Sequence, residues 1–318
     1  MLEWSGDLIH CFLLKHIELD DVAPGVRGAE TAINDNMQSL KKISVPSAAG
    51  HGNCEVMVGT CGYSYLEWVD SGFYPPETKS SEMLGLYGGC FPIVELNYTW
   101  YQMARGDALS RMADAAPPHL LFSAKLTRTI THERVEDWRE QVTLYRHGIA
   151  SLKKRLLSIL VQLPPDFDRT INNRCFLAEL LDRLHGLPVA VEFRHRSWAV
   201  DGVFSELERR AVSLVTVDEP DLPGLFPALD VVTNPALFYV RFHGRNIQGW
   251  RSGNMQKKFD YDYGEGELQQ WCERYLSSMV HRSDRGIIFF NNHVRSQAPR
   301  NARLLSSLIA ENKERLVV

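Results

Sequence analysis

Eight short apolar runs, each ending in polar residues, constrain this chain more than any other feature. They are VMVG (56–59), IVELN (93–97), LLFSAK (120–125), ILVQL (159–163), VAVEFR (189–194), LVTVD (214–218), LFYVRFH (237–243) and IIFFNN (287–292). They are rich in Val, Ile, Leu and Phe and too short for free-standing helices. Their near-continuous apolar character predicts strands covered on both faces, as in a parallel sheet. Helical patterns separate them, at 81–91, 107–116, 138–157, 173–186, 202–211, 266–280 and 301–316. The pattern at 173–186 ends on Gly186, a common helix stop. The segment after the sixth run, EPDLPGLFP (219–227), is too proline-rich for a long helix. Eight βα units over about 265 residues predict an α/β fold, a (β/α)8 TIM-type barrel forming a single domain. A doubly wound open sheet is the alternative. It would want a Gly-rich phosphate turn after a strand, and neither GxGxxG nor GxxxxGK[ST] occurs.

Residues 1–52 differ from the rest. They hold four Lys+Arg against seven Asp+Glu, whereas the remaining 266 residues are nearly balanced at 31 against 32. The stretch VPSAAGHGN (45–53) is small, polar and turn-rich, as linkers are. The expected organisation is a poorly ordered extension over 1–52, with a short helix near 7–19, and a barrel domain over 53–318. A start codon assigned too far upstream would give the same picture.

Composition excludes several function classes. A net charge of −4 indicates no global attraction to nucleic acid. Six dispersed cysteines without a CxxC pair fit free thiols in a reducing compartment, not a disulfide framework or a zinc ribbon. No apolar run reaches the roughly 18 residues of a membrane span. The first residues lack a basic n-region and a small-residue cleavage site, so no signal peptide is read and the expected location is cytoplasmic.

Barrel enzymes place their chemistry at the C-terminal ends of the strands. Here those ends carry Cys61 and Tyr63; Glu95 and Asn97; Lys125; Gln162; Glu192, Arg194 and His195; Asp218; Arg241 and His243; Asn291 and Asn292. Ionisable groups pointing into a barrel must be paired or solvated. Glu192 and Arg194 share one strand face by the period of two, which sends Phe193 to the helix layer. Bland readings stand beside the functional ones. Glu95 and Lys125 could form a structural ion pair, His195 could cap its strand, and Asp218 could shape a turn before Pro220. His243 could serve a tight turn before Gly244. Trp68, Trp100 and Trp198 fit packing better than ligand stacking.

Together these residues carry a family resemblance. The segments VGTCGYSYLEW (58–68), GFYPP (72–76), VELNYTWY (94–101), FSAKLTRTITH (122–132), VQLPPDF (161–167), VEFRHRSW (191–198), YVRFHGR (239–245) and FFNNHVRSQAPRNA (289–302) resemble the YecE-like family, also called the domain of unknown function 72. They occur in the family's order and span about 56–312. The resemblance implies a TIM-type barrel and brings no firm reaction. It carries over a polar set of Glu95, Asn97, Lys125, His132, Gln162, Glu192, Arg194, His195, Asp218, Arg241, His243 and Asn291. Cys61-Gly62-Tyr63 stands where the family usually has Ser-Gly-Trp. Tyr98 and Trp100 also depart from its second motif.

Two classes of function follow. The first is an enzyme acting on an anionic, phosphorylated or polyhydroxylated small molecule. Glu95 and Glu192 are its candidate acid/base pair, with Lys125 and His243 as further catalytic groups. Asn97, Gln162, Arg194, His195, Asp218, Arg241, Arg245 and Asn291 are its candidate substrate-binding residues; Arg offers bidentate contacts to phosphate or carboxylate. No cofactor is indicated. A variant would use Glu95, Glu192, Asp218 and His243 as ligands to a divalent metal, as in a phosphodiesterase or nuclease, although no motif supports it. The second class is non-catalytic nucleic-acid binding. The segment GRNIQGWRSGNMQKKFDYDYG (244–264) interleaves Arg245, Arg251, Lys257 and Lys258 with Trp250, Phe259, Tyr261 and Tyr263. A lid over the barrel mouth is the simpler reading of that segment.

Overall fold

The computed structural model describes residues 42–46 and 53–313. Eight parallel strands close into a barrel: β2 (Asn53–Cys61), β3 (Ile93–Leu96), β4 (Leu121–Lys125), β5 (Leu156–Gln162), β6 (Val189–Glu192), β7 (Ser213–Asp218), β8 (Phe238–Phe242) and β9 (Arg285–Phe290). They are hydrogen-bonded in sequence order, and β2 pairs with β9 to close the ring. All eight coincide with the apolar runs. The reason is burial on both faces: every residue of β3, β6, β7 and β8 is buried. Helices fill the crossovers. In Trp138–Ile149, Trp138, Val142, Tyr145 and Ile149 are buried at helical spacing and face the barrel. Between β7 and β8, residues 219–237 contain no helix, as the prolines require.

Two departures from the sequence reading have physical causes. The helix expected over 138–157 stops at Ile149, followed by a 3-10 turn at Ala150–Arg155. Arg155 does not continue the helix; its guanidinium donates to the carbonyls of Leu120 (2.8 Å) and Pro117 (2.9 Å). Leu156 then opens β5 three residues early, across a register shift at Phe122/Ser123 of β4.

The second departure is β1 (Ile43–Pro46), inside the stretch expected to be a poorly ordered extension. It pairs antiparallel with the start of β2, Ile43 opposite Val56 and Val45 opposite Cys54. Ile43 and Val45 are buried. The barrel's ordered structure therefore begins before residue 53. The helix expected near 7–19 lies outside the described residues. Among the described residues, no helix is long and apolar enough to cross a membrane.

Candidate functional site

The period of two decides what the barrel mouth holds. Tyr239 and Arg241 on β8 and Glu192 on β6 point inward. Arg241 Nη1 donates to Glu192 Oε2 (2.6 Å) and Nη2 to Glu95 Oε1 (2.7 Å). Tyr239 donates to the other Glu95 oxygen (2.6 Å) and lies 3.0 Å from Ser123 Oγ. Arg194 Nε donates to Glu192 Oε1, and Arg194 Nη1 donates to Glu219 Oε2 (2.7 Å). Phe193, between Glu192 and Arg194, stacks outward on Trp198 with ring centroids 4.7 Å apart.

His243 completes this network. Its Nε2 lies 2.9 Å from Arg194 Nη2. A guanidinium only donates, so that nitrogen is the acceptor. Burial and Arg194 hold the imidazole well below its ordinary range, against the opposing pull of Glu192, so the ring is neutral. Its Nδ1 sits 3.1 Å from the Asn291 amide. Burial alone would raise Glu192, but Arg194 and Arg241 outweigh it and keep the carboxyl well below its usual value. The network is sealed: Glu95, Glu192 and His243 are fully buried, and Arg241 and Arg194 nearly so.

Lys125 behaves differently. It ends β4 beside the network and stays partly exposed. No ion pair or hydrogen bond to its Nζ forms among the described residues. Instead Nζ lies over the Trp100 ring, 4.5 Å from the centroid. Burial and the Arg241 guanidinium pull Lys125 down to about 7, against the opposing influence of Glu95 and Glu192. The structural Glu95–Lys125 pair is therefore not formed; Arg241 is the partner of Glu95. His132 packs edge-on against the same indole at 5.1 Å, with burial and Lys125 lowering it to about 4. Gln162 Nε2 is 3.5 Å from His132 Nε2. Asn97, Trp100, Lys125, His132 and Gln162 are all partly exposed and line the open half of the mouth.

Segment 244–264 covers the other half. Gly244 turns it at φ +85, where an added Cβ would meet Tyr261 Cβ at 2.7 Å. Asn246 and Asn254 cap short helices at Ile247–Arg251 and Met255–Lys258. Phe259 and Tyr263 are buried. Lys258 Nζ lies 3.7 Å from the Trp250 ring centroid, and Arg194 is 5.8 Å from the same ring. Burial and Arg194 lower Lys258 to about 8. Burial, then Glu192, raises Glu219 to about 7 despite Arg194, and its Oε1 has no partner. The segment's cations and aromatics thus meet largely one another and the barrel, as a lid does. Arg251 and Lys257 stay exposed.

Three expected binding residues lie apart from the network. On β7, Val217 pairs with Arg241 and Asp218 with Phe242. Paired residues of neighbouring strands share a face, so Asp218 points to the outer layer with Phe242. There it binds Arg245 in bidentate fashion (2.9 and 2.6 Å) and accepts from Tyr263 (2.7 Å), anchoring the lid. Neither Asp218 nor Arg245 joins the inward cluster, and the expected metal quartet does not converge. His195 caps the turn Arg196–Trp198 through Ser197. Trp68 and Trp198 are buried packing residues, their indole N–H groups donating to His293 and Phe167 carbonyls. Sequence reasoning missed Glu219, Tyr239 and Lys258 as members of the mouth.

Surface clefts also lie away from the mouth. One of about 420 Å³ lies between Trp138–Ile149 and the end of Ile171–Arg183. Its Arg146 already donates to the Arg183 (2.8 Å) and His185 (3.1 Å) carbonyls, and its Asp182 pairs with Arg210.

The described motifs fall within one family model, "Protein of unknown function DUF72", which matches residues 57–317. The chain belongs to the DUF72 family. The UPF0759 protein YunF of Bacillus subtilis (strain 168) is 28% identical over 265 residues, covering 76% of this chain and 92% of YunF. The crystal structure of a DUF72 family protein from Thermotoga maritima MSB8 superposes with a TM-score of 0.72 at 33% identity, covering 80% of this chain and 99% of that one. A DUF72 family protein from Enterococcus faecalis V583 gives 0.71 at 26% identity, with 80% and 95% covered. The barrel architecture read from the apolar runs is thus the family's own.

Proposed function

We propose that this DUF72 protein is an enzyme acting on an anionic small molecule in the open half of the barrel mouth. The observation that carries this reading is Lys125, a partly exposed residue at a strand end whose amine has no ion pair or hydrogen bond among the described residues. Glu95, Glu192 and Glu219 answer Arg194 and Arg241, which leaves Lys125 as the cation of the open half without an ion pair among the described residues. Near pH 7 Lys125 exists in both protonation states, which suits a proton-transferring group. Glu192 acts as a fixed anion beside it. Glu192, held ionised by two guanidiniums, does not serve as a general acid. The substrate-binding roles of Asn97 and Gln162 follow from their place on the open half; Arg194, Arg241 and Asn291 support the floor.

The test is a thermal-shift screen of phosphorylated and carboxylated metabolites against wild type and Lys125→Met. A ligand at 100 times its Kd should stabilise wild type by about 2.7 kcal/mol, and Lys125→Met should lose that shift. Equal shifts in both proteins, or stabilisation by neutral compounds only, would contradict the proposal.

A further inference from the structure

Which chemistry Lys125 performs can be narrowed further. A lysine at a barrel mouth can bind an anion as a point charge, remove a proton as a base, or attack a carbonyl as a nucleophile. The first role needs a charged ammonium. The other two need a free lone pair and access to a reacting atom.

We propose that Lys125 Nζ forms an imine with the carbonyl carbon of an anionic aldehyde or ketone bound in the open half of the mouth. The inference rests on the reading of that half as an anion-binding enzyme site, and it names the substrate class.

Four features of the geometry support it. Nζ is not tied to any carboxylate among the described residues, so its lone pair is not competing with an ion pair. Lys125 is partly exposed while the neighbouring ion network is sealed, so a carbonyl entering the mouth has access to Lys125 and not to the buried carboxylates. The Trp100 ring lies 4.5 Å from Nζ. The protonated imine carries a positive charge, and an aromatic face stabilises such a cation. Glu95 and Glu192 lie close enough to act on Lys125 through their charge, and Glu192 is locked ionised by Arg194 and Arg241. Their charge offsets part of the opposition that burial and the Arg241 guanidinium offer to a cation at Nζ.

The steps balance without a further reactant. The neutral amine adds to the carbonyl carbon, and the C–N bond forms as the C=O π pair becomes an alkoxide. A proton moves from nitrogen to that oxygen to give the carbinolamine. One further proton from solvent lets the hydroxyl leave as water, and the nitrogen lone pair closes the C=N bond. The nearby Arg241 charge and burial favour the neutral amine that begins the sequence. With Lys125 at about 7, about half of it is neutral at pH 7, against about one in 2,500 for an ordinary lysine.

The test is reductive trapping on the full chain. Wild type is incubated at pH 7 with glyoxylate, pyruvate or dihydroxyacetone phosphate and cyanoborohydride, and peptides are read by mass spectrometry. Hydride adds to the imine carbon and leaves a stable secondary amine. The expected result is an adduct from at least one probe on Lys125, formed roughly tenfold or more faster than on any other lysine. The adduct should be lost in Lys125→Arg and kept in Lys257→Arg, with both variants checked by circular dichroism. A parallel measurement asks whether the same probes, and non-carbonyl anions such as phosphate and malonate, protect Lys125 from acetic anhydride. Protection without any preferential adduct would overturn the imine and leave the anion site standing. Neither protection nor adduct would overturn both.

Discussion

The two halves of the barrel mouth are built from the same residue types and behave in opposite ways. Under the lid, Glu192, Arg194, Arg241, His243 and Glu95 satisfy one another and are shut away from water. On the open side, Lys125 rests on an indole, partly solvated, with no partner ion among the described residues. The contrast shows that strand-end position alone does not mark a reactive group. A charge fully answered by its neighbours is fixed in one state, whereas a charge left unanswered in a partly buried place is the one whose state can change.

The sharpest way to break this contrast is to unbalance the sealed half. Glu192→Gln leaves two guanidiniums with one neutral partner in a buried site. Loss of about 3–5 kcal/mol of stability is expected, measured by denaturant unfolding. A change near zero, or a gain, would show that the network is not structural and would return Glu192 to the list of reactive groups.

The legibility of the molecule divides along similar lines. The strands were readable because a closed parallel barrel buries both of their faces, so the signal is a plain apolar run. Helix ends were less so. The periodicity of 138–157 runs on through Arg155, and only the Leu120 and Pro117 carbonyls, distant in sequence, explain why that residue turns away. At the mouth, the strand-end residues Glu95, Glu192, Arg194, Arg241 and His243 meet in one buried hydrogen-bonded network. Strand ends misplaced Asp218, because the last residue of a strand has a face as well as a position. Pairing with Phe242 sends it outward, and Glu219, one residue on, meets Arg194 instead. Tyr239 could have been found two residues before Arg241 by the same period. Lys258 could not, since only the folding of the lid brings it to Trp250.

A second comparison concerns β1. A chain beginning at Lys42 keeps the β1–β2 pairing, whereas a chain beginning at His51 exposes the surface that Ile43 and Val45 cover. The shorter chain should be less stable by about 2 kcal/mol, allowing for the ordering entropy it no longer opposes. Equal melting of the two truncations would show that β1 contributes nothing to the barrel.

The smallest expected effect lies in the open half, with the opposite sign. An unfolded lysine holds its proton to about pH 10.4. Folded Lys125 releases it near 7. Between these values the unfolded chain binds more protons, so this residue's contribution to stability rises with pH across that window and is most unfavourable below it. Lys125→Met removes the penalty. At pH 6 the variant should be more stable than wild type by about 1 kcal/mol, well short of the full shift because the side chain is partly solvated. The advantage should fade by pH 10. A loss of stability at pH 6 would mean that Lys125 has an anionic partner in solution.

The most direct test of Lys125 as the changeable charge is its own titration. Wild type is labelled with trace acetic anhydride from pH 5 to 11, and the Lys125 peptide is quantified against the exposed Lys257 peptide. Lys125 reactivity should rise with a midpoint near 7, about three pH units below an ordinary lysine. A Lys125 midpoint near that of an ordinary lysine, about 10.4, would contradict the assignment of Lys125 as the reactive group of the mouth.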